Sequence, residues 1–217
     1  MTGEILYPAM LRLVGRRVFV VGGGHVAFHR IEGLLAAGAR IRVISPEAVD
    51  ELRVLAESKK IEWIEASFSV ELLRGAEFVV CATDEPEVNR RAAWAAKALG
   101  AFVNMAAPPT DLGDFIIPAV ARHEELVFSV STGGGCPELS RRLLGELQKL
   151  ADACGPLLPK LSSLRKELRE RLADHEERRG LWRRLLSEEV MAKLREGNRK
   201  QAEELIEDAV IGSGIKP

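Results

Sequence analysis

The sequence predicts an α/β protein in which a mostly parallel β-sheet is covered by helices and followed by a helical C-terminal third. Over the first hundred residues, short β-branched runs alternate with longer segments of helical apolar spacing, a pattern typical of βαβ units. Charge density rises near residue 155, because 26 of the last 63 residues are charged. The 217 residues are 47% hydrophobic and 29% charged, which indicates one or two packed domains and excludes a disordered or fibrous chain.

The N-terminal part contains five predicted strands and three predicted helices. The strands are short, nearly continuous apolar runs, as expected for parallel strands that are buried on both faces. They are predicted at 17–22, 41–45, 61–66, 77–82 and 101–105. The helices between them are predicted at 25–38, 47–58 and 86–99, and the last of these is rich in alanine.

The pattern changes after about residue 113. Two β-rich segments, 115–122 and 126–131, are close in sequence and are expected to form antiparallel or exchanged strands. A helix is predicted at 138–150, with Pro137 near its start, and residues 157–208 are expected to be helical. A linker is predicted at Cys154, Gly155 and Pro156.

Charge and cysteine content restrict the partners and the compartment. The chain has 31 Lys and Arg against 32 Asp and Glu, so no basic field attracts nucleic acid or an acidic membrane. Cys81, Cys136 and Cys154 are few, odd in number and scattered, which argues against disulfides and a zinc site. Neither a secretory signal nor an apolar stretch of about 18 residues is visible, so we expect a cytoplasmic protein.

A glycine-rich turn directly after the first predicted strand is the most informative motif. Gly22, Gly23 and Gly24 are followed by His25, Val26 and Ala27 in a G-x-G-x-x-A pattern that opens a helix. This strand–turn–helix context is the one in which such glycines bind a dinucleotide in a Rossmann fold. Gly22 permits the tight turn, Gly24 lets the backbone approach a pyrophosphate, and Ala27 lets the helix pack on the strand. The helix N-terminus offers N–H groups and partial positive charge to the phosphates.

The acid that usually contacts the cofactor ribose is displaced in this sequence. The second strand ends at Ser45 and Pro46, and Glu47 follows one step later. Ser45 or backbone groups can serve in its place, with Glu47 as a candidate ribose contact. Arg42 is nearby, but no arginine clearly replaces the acid, so NAD is favoured over NADP.

Polar residues after two later strands are further candidates, because the carboxyl ends of parallel strands face the ligand crevice. Thr83 and Asp84 follow the fourth strand, where each can contact the ligand or cap the next helix. Asn104 ends the fifth strand and is a candidate substrate contact.

A second glycine-rich loop also leads into a helix. Ser131, Thr132, Gly133 and Gly134 begin this loop, and their N–H and O–H groups can bind an anion such as a substrate carboxylate. An ordinary flexible turn explains the same residues equally well.

Four motifs in this order, VVGGG, ATD, VN and STGG, resemble those of the precorrin-2 dehydrogenase family, which also forms the N-terminal half of siroheme synthase. The matching stretches begin at Tyr7 and include FVVCATDEPEVNRRAAWAAKALGAFVN and DFIIPAVARHEELVFSVSTGGGCPELSRRLL. The segment HEERRGLWRRLL, at 175–186, resembles a motif of the family's helical domain. The resemblance covers nearly the whole chain and implies a stand-alone dehydrogenase.

The resemblance implies a three-part fold and a reaction. It implies a Rossmann domain at 1–112, an α+β dimerisation region at 113–154 and a helical C-terminal domain at 155–217. It further implies a homodimer that oxidises precorrin-2 to sirohydrochlorin with NAD on the route to siroheme, and some relatives also insert iron or cobalt. The family's cofactor contacts correspond to His25, Val26, Pro46 and Glu47.

The sequence departs from the family at Ala107, where relatives usually carry the aspartate that is their candidate acid/base. A methyl group accepts no proton, so either no base is needed or another group substitutes. Asp114, which matches an acidic position of the family, ranks above Asp111 as a substitute, and each can instead cap a turn. His123 is a further candidate or a solvated loop residue. No metal site is predicted, although His25 and His29 have helical i,i+4 spacing.

Two alternatives remain open on the sequence alone. Ala107 motivates the first alternative, a non-catalytic homologue that binds NAD and a tetrapyrrole. In the C-terminal part, the apolar spacing favours helices that pack on each other or on a partner. Arg178, Arg179, Arg183 and Arg184 can alternatively contact substrate carboxylates.

Overall fold

The computed structural model describes residues 5–212, which divide into two compact units at residues 117 and 118. The first unit, residues 5–117, contains a five-stranded sheet, and the second, residues 118–212, contains a hairpin and five helices of more than one turn. Within 5–212, no helix has both the length and the apolar character that crossing a bilayer requires.

The sheet of the first unit is entirely parallel, with the strand order β3-β2-β1-β4-β5. Its strands are β1 (Arg17–Val21), β2 (Arg40–Ser45), β3 (Glu62–Glu65), β4 (Phe78–Cys81) and β5 (Phe102–Met105). The helices are α1 (His25–Ala36), α2 (Asp50–Glu57) and α3 (Pro86–Ala98). The predicted Rossmann-type α/β fold is therefore confirmed, and each predicted strand ends within two residues of its observed position.

Alternation along the strands builds two core layers, one on each face of the sheet. In β1, Val18 and Val20 belong to the layer that contains Ile31 of α1. Phe19 and Val21 belong to the opposite layer, together with the alanines of α3. Because both faces are covered, all four of these β1 side chains are buried, and the strand reads as a continuous apolar run.

The second unit begins with an antiparallel hairpin formed within one chain. Its strands are β6 (Ala119–His123) and β7 (Leu126–Val130), and α4 (Pro137–Cys154) packs on both of them. Four helices follow: α5 (Leu158–Arg171), α6 (His175–Leu185), α7 (Glu188–Arg195) and α8 (Arg199–Gly212). Their shared core includes Leu168, Leu181, Leu185, Leu194 and Ile206.

The segment at Cys154–Pro156 is not an open linker. Helix α4 continues to Cys154, a 3-10 turn at Gly155–Leu157 follows, and α5 begins at once. Gly155 is buried, and a Cβ there would lie 2.3 Å from Cδ2 of His123. Residues 118–212 form one compact unit. Their division into a part at 113–154 and a part at 155–217 stays a prediction.

Candidate nucleotide-binding site

The turn after β1 lies where the strand order reverses. The chain runs from β1 to β2 on one side of the sheet and later enters β4 on the other side of β1, so the loops after β1 and β4 flank the usual ligand crevice. Gly22 has a φ of 121°, and a Cβ there would lie 2.5 Å from the carbonyl oxygen of Ala82 in the loop after β4. Both the backbone conformation and this close approach therefore require glycine.

Gly23 contacts the loop on the opposite side of the turn. A Cβ there would lie 2.1 Å from the carbonyl oxygen of Glu47 and 2.6 Å from Oγ of Ser45. The N–H of Val49 donates to the Gly23 carbonyl at 2.9 Å. The turn is thus held between the loop after β2 and the loop after β4.

Gly24 faces open space, since a Cβ there would meet no atom within 4 Å. It is the N-cap of α1 and has no side chain to satisfy the N–H groups of the first turn. His25 and Val26 at the start of α1 are exposed, whereas Ala27 is completely buried beneath them. A dinucleotide pyrophosphate fits this side of the turn, because backbone donors and the helix dipole are available and no Cβ blocks the approach.

The loop after β2 combines one buried and two exposed candidate residues. Ser45 is only 4% exposed, and the indole Nε1 of Trp63 lies 3.1 Å from both its hydroxyl and its carbonyl oxygen. The hydroxyl therefore supports the turn beneath Gly23 and already has a partner. Pro46 and Glu47 are exposed, so the Glu47 carboxylate remains available to a ligand.

Arg42, the basic residue closest in sequence to this loop, is engaged within the sheet. Its Nε donates to Oε2 of Glu62 at 2.8 Å, and its guanidinium lies 4.5 Å from the centre of the Phe19 ring. An arginine with these two partners is not free to bind a ribose 2′-phosphate.

The loop after β4 is fixed by Asn89, which the sequence analysis did not identify. Asn89 is completely buried, and its Nδ2 donates to the carbonyls of Thr83 and Pro108 at 2.9 Å each. Its Oδ1 accepts from Thr83 N and lies 2.8 Å from the Thr83 hydroxyl. Thr83 thus belongs to a closed local network, and the N-cap of α3 is Glu85 rather than Thr83 or Asp84.

Asn104 at the end of β5 has the only buried side-chain nitrogen or oxygen without a hydrogen-bond partner in residues 5–212. Its Nδ2 donates to the Phe115 carbonyl at 3.0 Å, while its Oδ1 has no donor, and the residue is 2% exposed. An unsatisfied buried acceptor costs about 1–3 kcal/mol of folding free energy. The Oδ1 atom of Asn104 is therefore a candidate acceptor for a hydrogen bond from a ligand.

Comparison with known proteins places these features in a family. Residues 9–119 match a family model described as NAD(P)-binding, and residues 153–210 match the sirohaem synthase dimerisation region. The siroheme synthase of Chromobacterium violaceum is 34% identical over 209 residues, which cover 96% of this chain and 44% of that protein. Siroheme synthase 1 of Aeromonas salmonicida is 36% identical over 200 residues, covering 91% of this chain and 42% of that protein.

The structure is also similar to that of SirC, a precorrin-2 dehydrogenase. The TM-score is 0.68 at 25% sequence identity, over 94% of this chain and all of that one. The chain belongs to the siroheme synthase and precorrin-2 dehydrogenase family. It spans less than half the length of the two siroheme synthases it matches. The expectation of an NAD cofactor is confirmed by the NAD(P)-binding domain and by this structural neighbour.

The family's dimerisation model is matched by the helices of the second unit. The match at 153–210 covers α5 to α7 and most of α8. The hairpin and α4 lie at 113–154, for which the resemblance predicts the dimerisation region, and those bounds stay a prediction.

The residues around the family's aspartate position differ in their availability. Ala107 lies after β5 and is half-buried, and Asp111 lies in an exposed 3-10 turn. Asp114 is occupied on both oxygens: Oδ1 lies 2.6 Å from Nζ of Lys97, and Oδ2 accepts from the N–H of Val103 at 2.9 Å. This carboxylate joins α3 and the edge strand β5, so it has the partners of a structural acid rather than of a free base.

In the second unit, His123 takes part in a local cluster with α4. Its Nδ1 lies 3.1 Å from Oδ1 of Asp152, which also accepts from Gln148 at 2.9 Å. The His123 bond and then the Gln148 bond hold the pKa of the Asp152 carboxyl below its usual value. The imidazole also packs against Gly155, so His123 connects the hairpin to the end of α4.

The second glycine-rich loop largely satisfies its own donors. Gly133 N donates to the Ser131 hydroxyl at 3.1 Å, and Cys136 N donates to the Thr132 hydroxyl at the same distance. Gly133 and Gly134 have φ angles of 60° and 82°. The loop therefore resembles a helix-capping turn more closely than an open cradle.

No group of three or more His, Cys, Asp or Glu side chains that could hold a metal ion occurs in the described part of the chain. His29, which has i,i+4 spacing from His25, lies 3.3 Å from Glu32.

Proposed function

We propose that this protein oxidises precorrin-2 to sirohydrochlorin with NAD, acting as a cytoplasmic homodimer. The observation that carries the proposal is the glycine turn at the strand-order reversal, which two loops hold in place and which is open at Gly24. Membership of the siroheme synthase and precorrin-2 dehydrogenase family supports the choice of substrate.

The residues of the turn hold the cofactor in this proposal. The N–H groups at the start of α1 bind the pyrophosphate, beside Gly24, where no side chain intervenes. NAD supplies the hydride acceptor when bound. Glu47 lies on the exposed side of the next loop, where its carboxylate favours a ribose hydroxyl and repels a 2′-phosphate. Together with the engaged Arg42, this supports NAD over NADP.

The proposed reaction does not depend on a carboxylate at residue 107. General acid/base assistance contributes about 10²–10⁴-fold, whereas orientation of two bound reactants contributes about 7–11 kcal/mol. An enzyme without the aspartate therefore loses up to that factor in rate but keeps the acceleration that orientation of the two bound reactants supplies. The oxidation also releases a proton from precorrin-2. The Asn104 amide oxygen is a neutral acceptor that can orient a ligand donor but cannot take up this proton, for which solvent is the simplest acceptor.

Ala107 specifically favours a second candidate function, that of a non-catalytic protein that binds NAD and a tetrapyrrole. The same turn would then serve ligand sensing. The two candidates differ in turnover and agree in NAD binding, so turnover is the deciding measurement.

The test is anaerobic incubation of the protein with precorrin-2 and NAD, followed by absorbance spectroscopy. The sirohydrochlorin spectrum is expected for the wild type, and the Ala107→Asp variant is expected to be faster. No spectral change in the wild type, together with intact NAD binding and activity in Ala107→Asp, would favour the non-catalytic candidate. Parallel reactions with ferrous and cobalt ions test metal insertion, and light scattering tests the dimer against the chain mass of 23.8 kDa.

A further inference from the structure

The second unit contains a cavity whose ionisable lining is entirely basic. The cavity has a volume of about 360 Å³ and lies between α5 and α6. Its lining residues are Arg165, Arg169, His175, Arg178, Arg179 and Trp182. Four guanidinium groups, one imidazole and one indole thus line this space, which is partly open to solvent, and no carboxylate side chain lines it.

Helical spacing brings these side chains together. Arg165 and Arg169 are four residues apart on α5, which places them on one face of that helix. His175, Arg178 and Trp182 follow the i, i+3, i+7 pattern on α6. Trp182 is half-buried and packs on the core of the second unit, so its position is fixed.

The two arginines of α5 have no hydrogen-bond or ion-pair partner within residues 5–212. By contrast, the Arg178 guanidinium donates to the carbonyls of Leu172 and Ala173, the latter at 2.7 Å. Arg179 lies 3.7 Å from the exposed Glu176. The same Glu176 carboxylate lies 3.7 Å from Nδ1 of His175. Within residues 5–212, Arg165 and Arg169 are therefore the two cations of the lining whose charge is not compensated, and an anion bound between α5 and α6 would offset it.

The chemistry of the lining selects the anion. Guanidinium groups bind carboxylates with paired hydrogen bonds, and four of them exceed what one carboxylate can use. The Trp182 ring adds an apolar, planar surface for an unsaturated ring. The geometry points to a site for a polycarboxylate ring compound, namely the carboxylate-bearing tetrapyrrole class. The choice of this class rests on the proposed function, whereas the anion site itself rests on the cavity.

Lys166 and Lys200 provide a matched control. Both are exposed, and neither lines the cavity. The K166A/K200A variant therefore removes as many positive charges from the second unit as R165A/R169A does, without altering the cavity. Arg165 and Arg169 are exposed surface residues, so their replacement by alanine is expected to leave the fold intact, which a thermal melt checks.

The experiment measures equilibrium binding of uroporphyrin III to the full chain with NAD present, by porphyrin fluorescence anisotropy. Uroporphyrin is expected to bind the R165A/R169A variant at least about tenfold more weakly than the wild type, and the K166A/K200A variant within about twofold of the wild type. Coproporphyrin III, which carries half as many carboxylates, is expected to bind the wild type more weakly than uroporphyrin. Equal losses in both variants, or no loss in R165A/R169A, would overturn the site.

Two further measurements test the ligand class and the proposed function independently of each other. Inorganic pyrophosphate that binds the wild type as tightly as uroporphyrin would overturn the polycarboxylate assignment. Wild-type turnover of precorrin-2 is measured alongside. Absent turnover with arginine-dependent uroporphyrin binding contradicts the proposed function alone, whereas normal turnover with arginine-independent binding contradicts this inference alone.

Discussion

Two glycine-rich loops in this protein look alike in sequence and differ in structure. Both follow a strand and lead into a helix, one at 22–24 and the other at 133–135. In the first, Gly22 and Gly23 approach neighbouring backbone so closely that a Cβ would lie within 2.5 Å of a carbonyl oxygen. In the second, a Cβ on Gly133 would meet no atom within 4 Å.

The two loops also differ in what their N–H groups contact. The hydroxyls of Ser131 and Thr132 accept hydrogen bonds from the second loop itself. The first loop has no such hydroxyl, so the donors at the start of α1 stay available to a ligand. Glycine content alone therefore does not identify a nucleotide site. The two loops are distinguished by the packing around the turn and by whether its N–H groups are available to a ligand.

The strongest test of this difference is Gly23→Ala. Its Cβ would collide with backbone, so we expect the free energy of unfolding to fall by about 3 kcal/mol and NAD binding to be lost. Denaturant unfolding and calorimetry with NAD measure the two effects. A stable variant that binds NAD normally would show that the turn is not closely packed.

Asn89→Ala tests the buried amide that fixes the loop after β4. We expect a loss of about 2–3 kcal/mol in unfolding free energy, because backbone groups of Thr83 and Pro108 lose buried partners. Asn198→Ala is the control, since Asn198 is exposed and contacts only Glu196 through its amide. Equal losses in the two variants would contradict a special role for Asn89.

Gly24→Ala separates cofactor binding from folding. Its Cβ would point into open space, so we expect unfolding to change by less than about 1 kcal/mol. NAD affinity is expected to fall by about tenfold, because the methyl group occupies the approach of the pyrophosphate. Unchanged affinity in calorimetry would exclude this side of the turn as the phosphate site.

Gly133→Ala is expected to have a smaller effect. Its φ of 60° is strained for alanine, which costs about 1 kcal/mol, and no atom is displaced. NAD affinity should stay at the wild-type value. A loss of NAD binding as large as that of Gly24→Ala would mean that the two loops act on the same ligand.

The cysteines give the mildest test. Burial raises the pKa of the Cys81 thiol to about 12, and burial also raises that of Cys154, whereas Cys136 beside the second loop is exposed. We expect a thiol reagent to modify Cys136 first and Cys81 only on unfolding, as read by mass spectrometry. In the unfolded chain the Cys81 thiol ionises near its ordinary pKa of about 9, whereas in the folded chain it stays protonated up to about pH 12. The free energy of unfolding is therefore expected to fall as the pH rises from about 9 towards 12. Early labelling of Cys81 would contradict a closed sheet.

Local sequence patterns predicted the sheet well and the site only in part. Apolar runs and helix periods are local signals, and the glycine turn has a fixed place in that pattern. Asn89 was missed although it occupies the same helix face as Ala92, Ala93 and Ala96, where a polar residue is itself a signal. The pairing of Asp114 with Lys97 and the packing of Gly155 on His123 depend on contacts distant in sequence, which periodicity does not report.

The close packing of the glycine turn between the loops after β2 and β4 has a consequence for the cofactor preference. Gly22 and Gly23 approach the main-chain oxygens of Ala82 and Glu47, not their side chains. The shape of the turn is therefore independent of which side chain follows residue 46. In the proposed site, replacing Glu47 by a basic residue is therefore expected to shift the preference from NAD towards NADP while the bend keeps its shape.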